Sequence, residues 1–328
     1  MPCMNDLPFT LGISHLSFLK PNEKRVLSEN IDNLKDLALL SIDDISHIVK
    51  RVIQSSLWFP DEIEKQVAYS MKIMQAYNIN SCLYNDEKYP ALLKEIFDPP
   101  FMLFWRGNIE CTHKKTAAVV GTRRASAQGL KAAFEISKKL AEKNVTVVSG
   151  LALGIDGAAH KGALSAKLPE NAEAGNTCAV LACGVENIYP AGNRRLGGAI
   201  LERSGCILSE YPPGSPPQKW CFPARNRIIS GLSSVTAVIE ASVGSGALIT
   251  ADFAIEQGRE LAFYAGCVEQ KAEHKKVELT ETKKMDINQY ISDGAPVIKN
   301  ADELMALMNS EHSGHECRMK QQFFDFFE

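Results

Sequence analysis

Hydrophobic residues recur at intervals of three and four positions between Leu7 and Asn80, which is the period of an amphipathic helix. The segments 32–53 (DNLKDLALLSIDDISHIVKRVI) and 61–79 (DEIEKQVAYSMKIMQAYNI) carry this pattern most clearly. The pattern predicts a small all-helical domain over residues 1–84. A connector follows over residues 85–111, where prolines alternate with apolar pieces, and we expect it to pack on the next domain.

From about residue 112 the period changes, and short apolar runs rich in β-branched residues alternate with helical patterns. Six runs predict strands: Ala117–Val120, Val145–Ser149, Thr177–Ala182, Cys206–Ser209, Val235–Ile239 and Leu261–Ala265. Strands that alternate with helices in this way are typical of a doubly wound, mostly parallel sheet. We therefore predict an α/β domain over residues 112–310.

The strongest candidate site lies in the segment 220–252 (WCFPARNRIISGLSSVTAVIEASVGSGALITAD). A buried strand there runs into the turn Gly244, Ser245 and Gly246 and then into a helical pattern, so the turn can offer backbone N–H groups to a phosphate. Arg225 and Arg227 flank Asn226 upstream and are expected to place positive charge beside this turn.

Glycines and arginines also follow the other predicted strands. Since ligands of doubly wound sheets bind at the carboxyl ends of the strands, these loops are expected to line one crevice. The predicted phosphate-binding residues are Gly121, Thr122, Arg123, Arg124, Gly150, Gly154, Arg194, Arg195, Arg225, Asn226, Arg227, Gly244, Ser245 and Gly246.

Three arginine pairs exceed what one mononucleotide needs and suit a chain of backbone phosphates. Aromatic residues near these loops suggest stacking with unpaired bases, although each is equally compatible with packing of the loops on the sheet. These residues are Tyr189, Tyr211, Trp220 and Phe222. The spacing of a dinucleotide-binding motif and that of a Walker motif are both missing from the glycine segments.

None of the candidate catalytic residues forms a complete catalytic set in the sequence. Asp156 and His160 are four positions apart on a predicted helix, as a base and its orienting partner would be, but a histidine that holds a loop is the simpler interpretation. Glu210 and Glu240 end their strands, where they serve either as acids or ribose ligands or as anchors for loops and arginines. Cys183 has no histidine partner in its segment, which disfavours a nucleophile.

Composition limits the class of binding partner but does not identify a particular one. The chain of 328 residues has a formal net charge of -3, so only a local basic cleft, not a basic coat, can attract a polyanion. Neither a secretory signal nor a membrane-spanning run is visible, which indicates a cytoplasmic protein without a membrane partner.

Nine cysteines occur without a C-x-x-C pair, and we interpret them as buried reduced thiols rather than as disulfides or zinc ligands. The tail residues His312, His315 and Cys317 are interpreted as incidental, so neither a metal nor another cofactor is predicted. Residues 269–286 carry balanced charges and are expected to form a surface insertion, and residues 311–328 a tail.

Several motifs together resemble the DNA-processing protein A family, also called Smf. The resemblance covers about residues 85–266, through YPALLKEIFDPPFMLFWRGN, VVGTRRASAQG, VVSGLALGIDGAAHKGAL, AVLACGVENIYPAGNRRL, LSEYPPGSPPQKWCFPARNRIISGL and VIEASVGSGALITADFAIEQGRE. It implies an extended Rossmann-like core and a preceding helical domain of the SAM or helix-hairpin type.

The resemblance further implies a homodimer that binds single-stranded DNA, protects incoming strands during natural transformation and helps to load the RecA recombinase. Arg123, at the position of the family's GTR arginine, is the best-supported DNA contact. We place the dimer surface at an apolar sheet edge near Phe253–Phe263.

The chain departs from the family pattern after Gly266, where the charged insertion begins, and its tail leaves no room for the winged-helix domain of many members.

A competing hypothesis is a nucleotide-hydrolysing enzyme of the lysine-decarboxylase-like or phosphoribohydrolase group. That group positions a ribose phosphate with a glycine turn and a nearby glutamate. Gly244 and Gly246, with Glu240 or Glu256, reproduce this arrangement only in part. Release of a free base from nucleoside monophosphates distinguishes such an enzyme from a DNA-binding protein.

Overall fold

The amino-terminal part of the chain is helical, as its periodicity predicts. The structure is a computed structural model that describes residues 6–54, 58–167, 177–242, 244–266 and 286–309. The first helices are α1 (Leu7–His15), α2 (Pro21–Asn30), α3 (Leu34–Leu39), α4 (Ile42–Val49) and α5 (Pro60–Tyr77). Helix α5 buries one face through Ile63, Val67, Ser70 and Met74, whose spacing follows the helical period.

The remaining elements alternate between strands and helices. The strands are β1 (Asn80–Leu83), β2 (Met102–Gly107), β3 (Thr116–Gly121), β4 (Thr146–Ser149), β5 (Thr177–Val180), β6 (Cys206–Ser209), β7 (Val235–Glu240), β8 (Glu260–Tyr264) and β9 (Val297–Ile298). The helices are α6 (Ala91–Lys94), α7 (Ala127–Glu142), α8 (Ile155–Ser165), α9 (Arg194–Glu202), α10 (Cys221–Gly231), α11 (Gly246–Glu256), α12 (Ile287–Ser292) and α13 (Ala301–Asn309).

These strands form one sheet in the order β1-β2-β6-β5-β4-β3-β7-β8-β9. Strands β3 to β9 pair in parallel, whereas β1 and β2 add an antiparallel edge beside β6. From β3 the chain proceeds to β4 on one side, and from β7 it proceeds to β8 on the other. The carboxyl ends of the neighbours β3 and β7 therefore form the switch point where doubly wound sheets bind ligands.

Apolar side chains bury both faces of the sheet. On one face, Ile228 of α10 and Leu248 of α11 pack with strand residues such as Val238. On the other, Ala133 of α7 and Ala159 of α8 pack against the same strands. Such a double-sided cover explains why the central strands read as continuous apolar runs.

The amino-terminal helices share a third apolar cluster with the antiparallel edge and with α9. It joins Phe9 and Ile63 of the helices to Phe104 of β2 and Ile207 of β6. The Ser70 hydroxyl donates a hydrogen bond to the Pro213 carbonyl over 2.6 Å and also bonds the His15 ring over 2.9 Å. The helical part is thus packed directly on the sheet.

The predicted fold class is confirmed, and all six predicted strands are present. The structure adds β1 and β2, and the expected exposed sheet edge near Phe253–Phe263 is wrong because β9 covers β8 and Phe263 is buried. The domain boundaries at 84 and 111 stay a prediction. The insertion up to residue 285 and the tail from residue 310 lie outside the described residues, and no described helix is long and apolar enough to cross a membrane.

A buried ion-pair network fastens the loop after β6 to the segment before β2. Arg227 of α10 donates two hydrogen bonds to the Glu210 carboxylate, over 2.8 and 2.7 Å, and one to Asp98 over 2.8 Å. Arg227 is only 6% exposed. Because a buried guanidinium without its partner carries a large desolvation cost, this network must form as a unit.

We predict that Glu210→Gln lowers the free energy of unfolding by about 3 kcal/mol, because it leaves a buried positive charge half-compensated. Urea denaturation measures the loss. The matched control is Glu62→Gln, which breaks the exposed Lys65–Glu62 pair on α5 and should change stability little. Equal effects of the two substitutions would contradict this role of Glu210.

Candidate nucleic-acid interface

A cavity of about 1090 Å³ opens at the switch point, and we name it the rim cavity. Loops after β3, β4, β5 and β7 and the start of α10 contribute to its wall. The lining residues are Val120, Gly121, Thr122, Arg123, Arg124, Ala152, Asp156, Tyr189, Lys219, Phe222, Pro223, Arg225, Asn226, Ile229, Glu240, Ala241, Ser242, Ser245, Gly246, Ala247, Ile249 and Thr250.

The loop after β3 presents two exposed arginines, Arg123 and Arg124, at the cavity. Its backbone is fixed because the Thr122 N–H donates to the Glu240 carbonyl over 2.7 Å, while the Arg124 N–H donates to the Thr122 hydroxyl over 3.2 Å. The Arg123 guanidinium lies 5.6 Å from the centre of the Phe222 ring, within the range of a cation–π contact. Arg123 is thus an oriented but solvent-accessible cation.

The amino terminus of α7, beside this loop, already holds an anion. The Glu240 carboxylate accepts hydrogen bonds from the Ser126 N–H over 3.0 Å and from the Ser126 hydroxyl over 2.8 Å. A carboxylate at this position satisfies donors that a helix start leaves unpaired. The interpretation of Glu240 as a loop anchor is confirmed, and the start of α7 is not free for a phosphate.

The amino terminus of α11 differs, because no side chain caps it. Its first residues, Ser245 and Gly246, line the cavity, and the buried Ser245 hydroxyl has no hydrogen-bond partner among the described residues. The Asn226 side-chain amide donates to the Gly246 carbonyl over 3.0 Å and fixes the turn. The Ser245 N–H donates to the Ser242 carbonyl over 3.0 Å, so the donors left for an anion are the N–H groups of the first helical residues, Gly246 and Ala247.

The floor of the cavity contains a buried arginine. Arg225 is 5% exposed, and its guanidinium donates to the carbonyls of Gly150 over 2.9 Å and of Val180. Burial lowers the pKa of Arg225, whereas the charge of nearby Asp156 opposes that shift. Asp156 is buried too, and burial raises the pKa of its carboxyl, while Arg225 acts to lower it. Arg225 therefore adds positive charge to the floor of the cavity while it stays almost fully shielded from solvent.

Arg227 does not face the cavity, so its expected place beside the phosphate seat is wrong. Arg225 and Arg227 lie two residues apart on α10, and a helix turns by about 100° per residue, so they project in nearly opposite directions. Arg194 and Arg195 also lie outside the cavity lining, exposed in the first turn of α9. Their contact with DNA stays a prediction.

Gly150 and Gly154 support the site rather than line it. A Cβ atom on Gly150 would lie 2.5 Å from the Arg225 guanidinium and 2.7 Å from the Asp156 carboxylate. Gly154 has a φ of +80°, and a Cβ there would lie 2.3 Å from the Thr122 carbonyl. Both positions thus need glycine so that neighbouring loops can approach.

Two of the four predicted aromatic residues, Tyr189 and Phe222, line the cavity, and their ring centres lie 5.5 Å apart. Tyr211 packs edge-on against Trp220 at 6.0 Å, outside the lining. Sequence reasoning missed Lys219, an exposed cation on the lining. Its place immediately before Trp220, in a basic and aromatic segment, was the available signal.

No acid–base pair forms from Asp156 and His160. The His160 ring is fully buried and its Nδ1 atom bonds the Thr177 hydroxyl over 2.7 Å, while Asp156 accepts from the Gly150 N–H over 3.1 Å. Burial raises the pKa of the Cys183 thiol to about 12, which does not suit a nucleophile. His160 therefore has a structural role, although its partner is the first residue of β5 and not a loop residue as expected.

This fold and this site define a class: a Rossmann-like α/β protein whose switch-point cavity carries exposed cations, an open helix terminus and aromatic rings. Residues 80–309 match the family model described as DNA recombination-mediator protein A, and the chain belongs to that family.

Named relatives agree with this assignment. The chain is 38% identical to DNA processing protein DprA of Streptococcus pneumoniae over 78% of this chain and 84% of that protein. It is 40% identical to the Bacillus subtilis DprA over 61% of this chain and to Protein Smf of Escherichia coli over 64% of it. These matches span 66% and 54% of the respective relatives, so the chain corresponds to only part of their length.

A solved structure of the Streptococcus pneumoniae protein superposes with a TM-score of 0.65 at 31% identity, over 90% of this chain and 95% of that one. The Helicobacter pylori protein, described for its single-stranded DNA binding mode, gives a TM-score of 0.56 at 24% identity. It covers 70% of this chain and 95% of that one, and at this identity supports the fold alone.

The buried His160 generates a pH prediction. Burial lowers its pKa from 6.5 to about 3, so below pH 6.5 the unfolded chain binds a proton that the folded chain does not. Stability is therefore lost as the pH falls through 6.5, and at pH 5 this residue accounts for about 2 kcal/mol of the loss.

We expect His160→Gln to reduce, by about that amount, the drop in the free energy of unfolding between pH 7 and pH 5. Urea denaturation at the two pH values measures the drop. Substitution of the exposed His47 by Gln is the matched control. An unchanged drop in the His160 variant would contradict the burial of a neutral ring.

Proposed function

We propose that this protein binds single-stranded DNA through the rim cavity and acts as a non-enzymatic recombination mediator. The observation that carries the proposal is the combination, in one opening, of exposed Arg123, Arg124 and Lys219 with the uncapped start of α11. Cations and helix N–H groups are the donors that hold backbone phosphates without reading sequence.

The aromatic pair favours an unpaired strand over a duplex. Tyr189 is 45% exposed at the cavity and lies beside Phe222, whose ring also contacts Arg123. Bases of a single strand are free to stack on such rings, whereas the bases of a duplex already stack on each other. A strand whose phosphates lie on Arg123 and on the Ser245 turn would bring its bases to these rings.

The wider role rests on family membership. In this proposal the protein protects incoming strands during natural transformation, helps to load RecA and works as a cytoplasmic homodimer. The motifs that carry the family resemblance are the loops of the rim cavity, which supports a shared use of that site. The division into residues 1–84, 85–111 and 112–310 belongs to the same proposal, with 112–310 as the DNA-binding unit.

The competing phosphoribohydrolase hypothesis is less well supported by the contacts. Glu240, which that reaction would need at the ribose, is engaged by Ser126 at the start of α7. Glu256 does not line the cavity and lies exposed at the end of α11. Neither glutamate is placed as a free acid beside the glycine turn.

The proposal predicts that Arg123→Ala weakens binding of a labelled oligothymidylate by about tenfold, the value of one charge-assisted hydrogen bond. The same change should reduce the slope of log K against log salt by about 0.7, since one phosphate contact is lost. Fluorescence anisotropy across a salt series measures both quantities, and the melting temperature should stay unchanged because Arg123 is exposed.

The matched control for Arg123 is Arg203→Ala. Arg203 is equally exposed but follows α9, close to the start of β6 at the opposite end of the sheet. Its removal should leave affinity and salt slope unaltered. Equal losses in both variants, or none in either, would refute the rim cavity as the DNA site.

Removal of an aromatic ring should produce a different signature. Tyr189→Ala is expected to weaken binding of the oligothymidylate by about 1–3 kcal/mol, the usual value of one base–aromatic stack. The slope of log K against log salt should stay unchanged, because no phosphate contact is lost. Phe97→Ala, at a fully exposed ring outside the cavity, serves as the comparison. A smaller salt slope in the Tyr189→Ala variant than in the unmodified protein would argue against stacking.

A further inference from the structure

Three cysteines meet at the end of the sheet opposite the rim cavity. The sulfur atoms of Cys111, Cys178 and Cys206 all lie within 4.8 Å of one another, and each side chain is fully buried. Cys206 begins β6 and Cys178 is the second residue of β5, so the cluster lies at the amino ends of the parallel strands. It is therefore separate from the proposed DNA site.

Sheet geometry brings the three residues together. Cys178 and Cys206 are register partners on the neighbouring parallel strands β5 and β6, so their side chains point to the same face. Cys111 lies on the 3-10 helix Ile109–His113, which precedes β3 and covers that face. The sequence separations of 67 and 28 residues conceal this meeting, because metal motifs are recognised by short spacings.

The sulfur separations suit a metal ion. A cation bonded to three sulfurs at about 2.3 Å places those sulfurs about 4 Å apart, which the cluster reaches with small side-chain movements. We propose that Cys111, Cys178 and Cys206 bind one thiophilic cation, Zn²⁺ or Cu⁺, through three thiolates. Soft sulfur ligands select these ions over Mg²⁺ or Ca²⁺.

The two ions make different demands on the site. Zinc usually takes four ligands in a tetrahedron, and no fourth cysteine, histidine or carboxylate belongs to the cluster within the described part of the chain. Three sulfur ligands would leave the fourth coordination position of Zn²⁺ to a water molecule. The same three ligands would complete a three-coordinate Cu⁺ site. The number of ligands around the bound ion therefore distinguishes the two.

Each cysteine of the cluster must lose its thiol proton before its sulfur can bind the ion as a thiolate. As each metal–sulfur bond forms, the thiol releases its proton to solvent, so binding weakens as the pH falls. A cation would also compensate the negative charge that three buried thiolates would otherwise bring into the core.

The 3-10 helix would be the entry point for the ion in this proposal. Glu110 and His113 on this helix are exposed, whereas Cys111 between them is fully buried. The 3-10 helix is a single short piece with weaker hydrogen-bond geometry than an α-helix, and it can open locally. Movement there would admit the ion without separation of the strands.

The experiment uses the full chain, reduced, freed of metal and kept without oxygen. Portions are equilibrated with Zn²⁺ or Cu⁺ against a coloured competing chelator, and bound metal is counted by elemental analysis. We expect one ion per chain for at least one metal, with three sulfur neighbours by X-ray absorption. Failure of both metals to be retained, or a shell with fewer than three sulfurs, would overturn the proposal.

Variants locate the site. Cys178→Ser and Cys111→Ala should each lose the bound ion, whereas Cys82→Ser, at a buried thiol on β1 outside the cluster, should retain it. Equal retention in all three would reject the site.

The unmodified chain gives a second readout that does not depend on variant folding. Bound metal should slow alkylation of the three cluster cysteines, mapped by mass spectrometry, and leave Cys82 unaffected. Equal alkylation rates with and without metal would also reject the site.

Discussion

The rim cavity depends on the burial of one arginine beneath it. Arg225 donates hydrogen bonds to the carbonyls of Gly150, which follows β4, and of Val180, the last residue of β5. A guanidinium taken out of water must satisfy its donors, so these carbonyls are held in place whenever the sheet is folded. The neighbouring residue Asn226 fixes the start of α11, and α10 thereby couples the floor of the cavity to its anion seat.

Two helix starts at the same cavity are used differently. The start of α7 is satisfied internally by Glu240, which also holds the loop that carries Arg123, whereas the first residues of α11, Gly246 and Ala247, keep their N–H donors open. One helix dipole thus stabilises the protein, and the other remains for a ligand. This division explains how a chain with a negative net charge can still present a local seat for phosphates.

Periodicity predicted the helices and the strands, because these follow from local pattern, and the strand ends predicted a crevice, whereas the strand order that sets the switch point came from the structure. The positions of the arginine side chains were harder to predict, because Arg225 and Arg227 look equivalent in sequence. In α10 they project in nearly opposite directions, so that Arg225 lies under the cavity and Arg227 binds Glu210. Gly150 looked like a ligand loop, but its carbonyl holds Arg225. The cysteine cluster was invisible because strand register, not spacing, brings Cys178 beside Cys206.

The most direct test of the DNA site is a crystal structure of the protein with a short oligothymidylate. We predict a backbone phosphate on the N–H groups of Gly246 and Ala247, a second phosphate within hydrogen-bond distance of Arg123, and a base against Tyr189 or Phe222. A strand bound on another face, with the rim cavity empty, would contradict it.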